Sequence, residues 1–232
     1  MGSEPEFGDV WTYESIVSAL PGIDLSDRVA VAFQLVLFQV GVILFAAVYD
    51  IWEAALAGTA AVIVAAGGSI MMLRMGALVR TISVSPAYRK MLFGSNIEVV
   101  LSVLAFIALI TYLFVVDPGQ SETPLLNELF GPEPPMLLVY FTLLVLWDLC
   151  YRIGASWWIG VVSLWRAVRY PTDRETTATL RRVDRLNIGF GILQVILIPF
   201  VIDHPSLVAA LIGHIVAVTA FSGLSSLVAK HN

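Results

Sequence analysis

The stretch MLLVYFTLLVLWDLCYRIGASWWIGVVSLW, Met136–Trp165, decides how this chain is read. Only Asp148 and Arg152 interrupt its apolar and weakly polar residues with charge. As one helix of 30 residues it would be about 45 Å long. The apolar core of a bilayer is about 30 Å thick. The run is therefore longer than one span needs, yet too short for two antiparallel spans with a turn between them. Gly154 is its single turn signal. The sequence predicts one long helix that overruns the membrane, with Trp157 and Trp158 at the interface, where tryptophan is favoured.

Working outward, five more apolar runs of spanning length appear, and the spans fall at about 29–49, 54–73, 97–116, 136–158, 186–202 and 207–229. Acidic or proline-containing turns separate them at Asp50–Glu53, at 117–135 and at Asp203-His204-Pro205. The whole chain agrees: of 232 residues, 58% are hydrophobic and 13% charged, with mean hydropathy +0.86. A soluble domain carries about 25% charge. These values exclude a disordered chain, a coiled coil, a disulfide scaffold and an ordinary soluble enzyme. They specify an all-α polytopic membrane bundle of six helices in a single domain over 29–230.

The number of spans fixes the orientation. The link between spans two and three holds Arg74, Arg80, Arg89 and Lys90 and no acid. The link between spans four and five holds Arg166, Arg169, Arg174, Arg181, Arg182 and Arg185 against Asp173, Glu175 and Asp184. With six spans, both basic links lie on one side, and the acidic turns lie on the other. The positive-inside rule then places both termini in the cytoplasm and the protein in the cell membrane. Seven spans would split the basic links between the two faces.

Residues 1–28 carry six carboxylates and one arginine, unlike the basic start of a secretory signal. Within them, Val10, Trp11, Tyr13, Ile16, Val17 and Leu20 have helical spacing. They predict a short amphipathic helix over 10–20, lying on the membrane surface or packed on the protein. Ser85-Pro86 and Thr172-Asp173-Arg174-Glu175 read as helix starts, the second as a capping box. Helices three and five are thus expected to begin two to three turns before the membrane, giving two helical hairpins that project into the cytoplasm. A shift of 86 residues aligns Gly68 with Gly154, Arg80 with Arg166, and Phe114, Val115 and Asp117 with Phe200, Val201 and Asp203. It hints that the two hairpins are alike.

Polar groups inside a bilayer are costly and are the first functional candidates. Counted inward from the acidic turns, Gln39, Asp148, Gln194 and His214 each lie roughly 14–18 Å deep, near the midplane. Asp148 and Arg152 share a helix face at a spacing of four. They form either a self-neutralising pair or a substrate or proton site tuned by the arginine. Gln39 and Gln194 are suited to interhelical hydrogen bonds. Glu98 is expected to snorkel or to pair with an arginine. Asp203 and His204 read as solvated turn residues, because two ligands do not make a metal site. Arg74, Arg80, Arg166 and Arg169 are candidates for lipid head groups. Cys150 stands alone, so no disulfide and no cysteine metal cage is expected.

No zinc-protease helix, phosphate-binding loop, serine elbow or potassium filter is present. No cofactor, metal or nucleic acid is expected. The expected partners are the bilayer, anionic lipids at the cytoplasmic face, and a second copy or another membrane protein. The midplane polar level points first to a transporter or channel for a small solute or ion. The alternatives are an accessory subunit of a membrane complex and a lipid-modifying enzyme, for which no acid–base set is visible.

Overall fold

A computed structural model describes Trp11 and residues 27–229. Among these, the helices are α1 Asp27–Tyr49, α2 Trp52–Arg80, α3 Pro86–Phe93, α4 Ile97–Thr111, α5 Asp117–Gln120, α6 Leu125–Phe130, α7 Met136–Arg169, α8 Arg174–Leu193 and α9 Pro205–Val228. A π-helical turn, Tyr112–Val116, joins α4 to α5, and a 3-10 segment, Gln194–Phe200, extends α8. No strand occurs among the described residues. Six helical stretches there are long and apolar enough to cross a membrane. The predicted amphipathic helix at 10–20 lies outside the described residues except for Trp11, as does the acidic stretch before α1. Trp11 is buried, with its ring edge-on to Phe93 at 4.9 Å.

Met136–Arg169 forms one unbroken helix of 34 residues, about 51 Å long. It is the central post of the bundle, packing against α4, α9, α2, α8, α3 and α1. Gly154 makes the α4 contact close: a Cβ there would lie 2.6 Å from the backbone nitrogen of Ser102. The Ser102 hydroxyl sits at this crossing, 3.2 Å from the Tyr151 carbonyl. Trp157 and Trp158 face protein rather than head groups. Trp158 donates to the Met91 carbonyl at 2.8 Å, and Trp157 packs on His214 and Phe221.

Two helix starts differ from the sequence reading. Ser85-Pro86 does begin a helix, but α3 ends at Phe93, and Gly94 and a left-handed Asn96 (φ 55°) turn the chain before α4. Asn tolerates that conformation better than most residues. At the other hairpin the cap is Asp173, one residue later than the capping box implied, accepting from the Thr176 amide at 2.9 Å. Both spans that lead toward proline leave α geometry. Pro118 lacks an N–H and would clash with the carbonyl of Phe114, and the π turn spans that position. Pro199 plays the same part in the 3-10 segment.

The core is asymmetric. Toward the end carrying α3 and the α7–α8 link, here the basic end, Met75, Tyr88, Phe93, Ile159, Val162, Leu180 and Val183 close a dense cluster. Toward the opposite, acidic end, packing divides into two small clusters, around Val42, Ala61 and Val145 and around Leu113, Leu125 and Leu126. On the outside, α1 exposes Phe33, Val36, Val40 and Leu44, α4 exposes Val100, Leu104 and Ile107, and α9 exposes Ile212 and Val216. An apolar surface of this extent suits lipid rather than water.

Candidate functional site

The midplane polar residues do not gather in one place. They fall into three separate contacts. Gln39 on α1 donates to the Thr59 hydroxyl on α2 at 2.9 Å. Asp148 and Arg152 form a buried pair at 2.8 Å. Arg152 is fully buried and also donates to Ser69 of α2 at 3.0 Å and reaches Gln34 of α1 at 3.5 Å. Gly68 makes room for it, since a Cβ there would meet the Arg152 stem at 2.8 Å. Gln194 and His214 meet at 3.1 Å. The common depth read from sequence does not become a shared site, because the residues lie on different interfaces around α7.

The basic end holds a second polar seam that the sequence reading missed. The buried face of α9 is His214, Val218, Ser222 and Ser225. Asn187 donates to Ser222 at 3.0 Å and accepts from Ser156 at 2.8 Å. Deeper toward the basic end, Arg166 lies 3.5 Å from Asp184 and donates to Ser225 at 2.9 Å. Ser226 donates to the same Asp184 carboxylate at 3.1 Å. Arg166 is therefore not a lipid-facing group: it is buried and taken by Asp184. Arg74, Arg80 and Arg169 are exposed. The signal was the spacing of Leu180, Asp184, Asn187 and Gly191, one helical face that runs apolar to polar without leaving the core.

The acidic end corrects a second reading. His204 is buried rather than solvated, with its Nδ1 2.9 Å from Asp117 and its Nε2 3.4 Å from Glu128. Asp117 also accepts from the Leu125 amide at 2.6 Å and from the Tyr112 hydroxyl at 3.2 Å. It thereby secures the start of α6. Glu98 is likewise fully buried instead of snorkelling. No group of three or more His, Cys, Asp or Glu side chains arranged for a metal ion occurs among the described residues.

Beneath α6 lies a cavity of about 510 Å³. Leu125, Leu126, Leu129 and Phe130 form its lid, and Val145, Leu149, Ile153 and Trp157 of α7 form its back wall. Ala54, Ala57, Gly58 and Ala61 of α2 and Ala105 and Ala108 of α4 leave the space between those helices. Small residues on both helices here keep a volume open. The π turn and the 3-10 segment both contribute to the wall, through Tyr112 and Leu113 and through Leu197 and Phe200. Polar lining is confined to Tyr112, Thr142, Ser206 and, at the inner limit, His214, with Cys150 beside them.

The orientation of the Gln194 amide selects one tautomer of His214. The Gln194 amide nitrogen also faces the Phe190 carbonyl at 3.4 Å, so it is the donor on both sides. It must then donate to His214 Nε2, which leaves the hydrogen on Nδ1. His214 Nδ1 is buried and has no partner. Burying a donor without an acceptor costs about 1–3 kcal/mol.

No curated protein and no solved structure matches this chain. A family model described as a family of unknown function (DUF7530) matches residues 6–225, almost the full length, and the chain belongs to that family.

Proposed function

We propose that this integral membrane protein binds one elongated apolar molecule in the cavity under α6. Its ligand would carry a carbonyl or hydroxyl oxygen at one end, as a membrane quinone does. The observation that supports this reading is the cavity itself: about 510 Å³ of almost wholly apolar space, with His214 among its lining residues and the Nδ1 of that histidine buried without a partner. An apolar body would fill the space, and an acceptor oxygen would supply what His214 lacks. Binding sites of this kind are mostly apolar, with few polar groups that set orientation. In the proposed orientation both termini are cytoplasmic and the lid faces outward, supported by the sorting of arginines into two links on one side. The reading is one of binding, with no bond made or broken. It suits an accessory role in a membrane complex better than passage of a polar solute, because the polar groups that such a path would use are paired off on separate interfaces.

The test is to add a short-chain benzoquinone to the purified protein and follow thermal unfolding. Stabilisation that grows with ligand concentration is expected, absent in Ala105→Phe, which fills the space. In His214→Ala, quinone should lose its advantage over an alkane of equal length. An equal response of the wild type and Ala105→Phe would overturn the reading.

A further inference from the structure

Four arginines were read from sequence as head-group candidates, and the fold separates them. Arg166 is spent on Asp184. Arg169 lies beside Trp165 and Phe221 on another face. Arg74 instead meets two residues far away in sequence. Arg74 of α2 and Arg182 and Arg185 of α8 line one shallow groove of about 600 Å³, together with Ala77, Leu78 and Leu186.

Three features make this groove unlike an ordinary solvated basic face. All three guanidinium groups are exposed, and among the described residues none of the three has an acidic partner. Asp184 sits between Arg182 and Arg185 in sequence but is buried on the opposite face of α8 against Arg166. It therefore leaves the groove's charge standing. Arg181 does not line the groove; its Nε donates to the Ser226 carbonyl at 3.2 Å, while the Arg185 Nε donates to the Arg181 carbonyl at 3.3 Å. Like charges one turn apart repel, and an anion between them removes that cost.

The depth is the third feature. Arg74 directly follows the predicted second span and Arg185 directly precedes the predicted fifth. The packing of α2 against α8 brings these two ends to one level. Leu78, Leu186 and Ala77 then give the groove an apolar component beside its charges. A charged rim with apolar neighbours at the edge of a bilayer matches an amphiphile whose phosphate lies at that level.

We propose that Arg74, Arg182 and Arg185 hold the phosphate of an anionic lipid head group, with the lipid chain leaving toward the bilayer past Leu186. The site depends on the chain spanning a membrane but not on the cavity ligand, which lies toward the other end of the bundle.

The test uses the full chain in mixed micelles, with lipid adducts counted by native mass spectrometry. Phosphatidylglycerol should be retained over phosphatidylcholine by about tenfold or more, given the attraction of each basic residue to an anionic surface. The triple variant R74Q/R182Q/R185Q should lose this preference. R89Q/R169Q, which removes a half-buried and an exposed arginine elsewhere, should keep it. Retention of the preference by the triple variant, or an equal loss in R89Q/R169Q, would overturn the site. Full displacement of the lipid by millimolar inorganic phosphate would overturn the lipid as its occupant and leave a site for free phosphate. Unchanged helicity of the triple variant by circular dichroism excludes misfolding, and an unchanged response to quinone keeps the two sites' outcomes apart.

Discussion

His204 and Asp117 meet at 2.9 Å although 87 residues separate them in sequence. Through this contact the turn before α9 holds the start of α5, and Asp117 in turn holds the first amide of α6. The lid of the cavity is therefore fastened by one buried carboxylate. Asp117→Ala should lower stability by about 1–3 kcal/mol, the cost of leaving buried hydrogen-bonding groups without their partner. Glu128→Ala should cost well under 1 kcal/mol, because that carboxylate is half exposed. Thermal unfolding in detergent measures both. Comparable effects from the two variants would contradict the assignment of Asp117 as the anchor.

At the other end, Arg166 and Asp184 are a buried pair that offers little net stability while intact. Asp184→Ala strands the guanidinium and should cost about 3–5 kcal/mol. Replacing both, as Arg166→Met with Asp184→Leu, should recover most of that loss. A double-mutant cycle on unfolding free energies gives the coupling. Additive effects would mean the two groups act separately.

Gly154 sets the approach of α4 to α7. Gly154→Val places new atoms against the Ser102 backbone, which cannot yield as a flexible side chain would. A loss of about 1–3 kcal/mol is expected from overpacking. Gly160→Ala should be milder, since its Cβ would meet the Phe221 Cβ at 3.3 Å with nothing nearer. Equal unfolding temperatures for the two variants would argue against a backbone-limited contact.

Asp173 caps α8, and the Thr176 amide holds its carboxyl below the ordinary value of 3.8. A depressed folded value means that the cap contributes fully above 3.8 and fades as pH falls through the folded value. Amide exchange over 174–178, corrected for its intrinsic pH dependence, should accelerate below about pH 4 in the wild type. The acceleration should vanish in Asp173→Asn, which caps without titrating.

Orientation is open to direct measurement. In a Cys150→Ala background, Ser121→Cys should react with an impermeant thiol reagent on intact cells. Thr172→Cys should react only after permeabilisation. The reverse pattern would invert the bundle and place the arginine groove on the outer leaflet.

The spans were legible because their signal is the apolar run, which every residue of a lipid-facing helix repeats. Met136–Trp165 was legible as one helix because a turn would have needed more than Gly154. Partnerships were much less so. The midplane level was read from depth alone, and depth says nothing about which way round the helix a residue points. Gln39 and His214 share a level yet serve different interfaces. His204 was read with Asp203 as a solvated turn residue, and Asp117 only as one acid of the 117–135 loop, because neither turn shows in sequence what lies across from it. The shift of 86 residues, which aligns Asp117 with Asp203, hinted only that the two hairpins are alike. Arg182 and Arg185 were counted with a basic link, and only the packing of α8 on α2 joins them to Arg74. The cavity left no trace, since alanines that permit contact and alanines that leave a gap look alike in sequence.

Asp148 and Arg152 also bear on how the chain enters the bilayer. Either charge alone at the centre of a helix costs about 2.5–3.5 kcal/mol at the translocon. Their spacing lets α7 neutralise both within itself, before any neighbour arrives. The further partners of Arg152, Ser69 and Gln34, lie on α2 and α1, which leave the ribosome earlier. The most polar of the central helix's buried contacts thus has its receiving groups synthesised first, and the order of synthesis becomes an order of assembly.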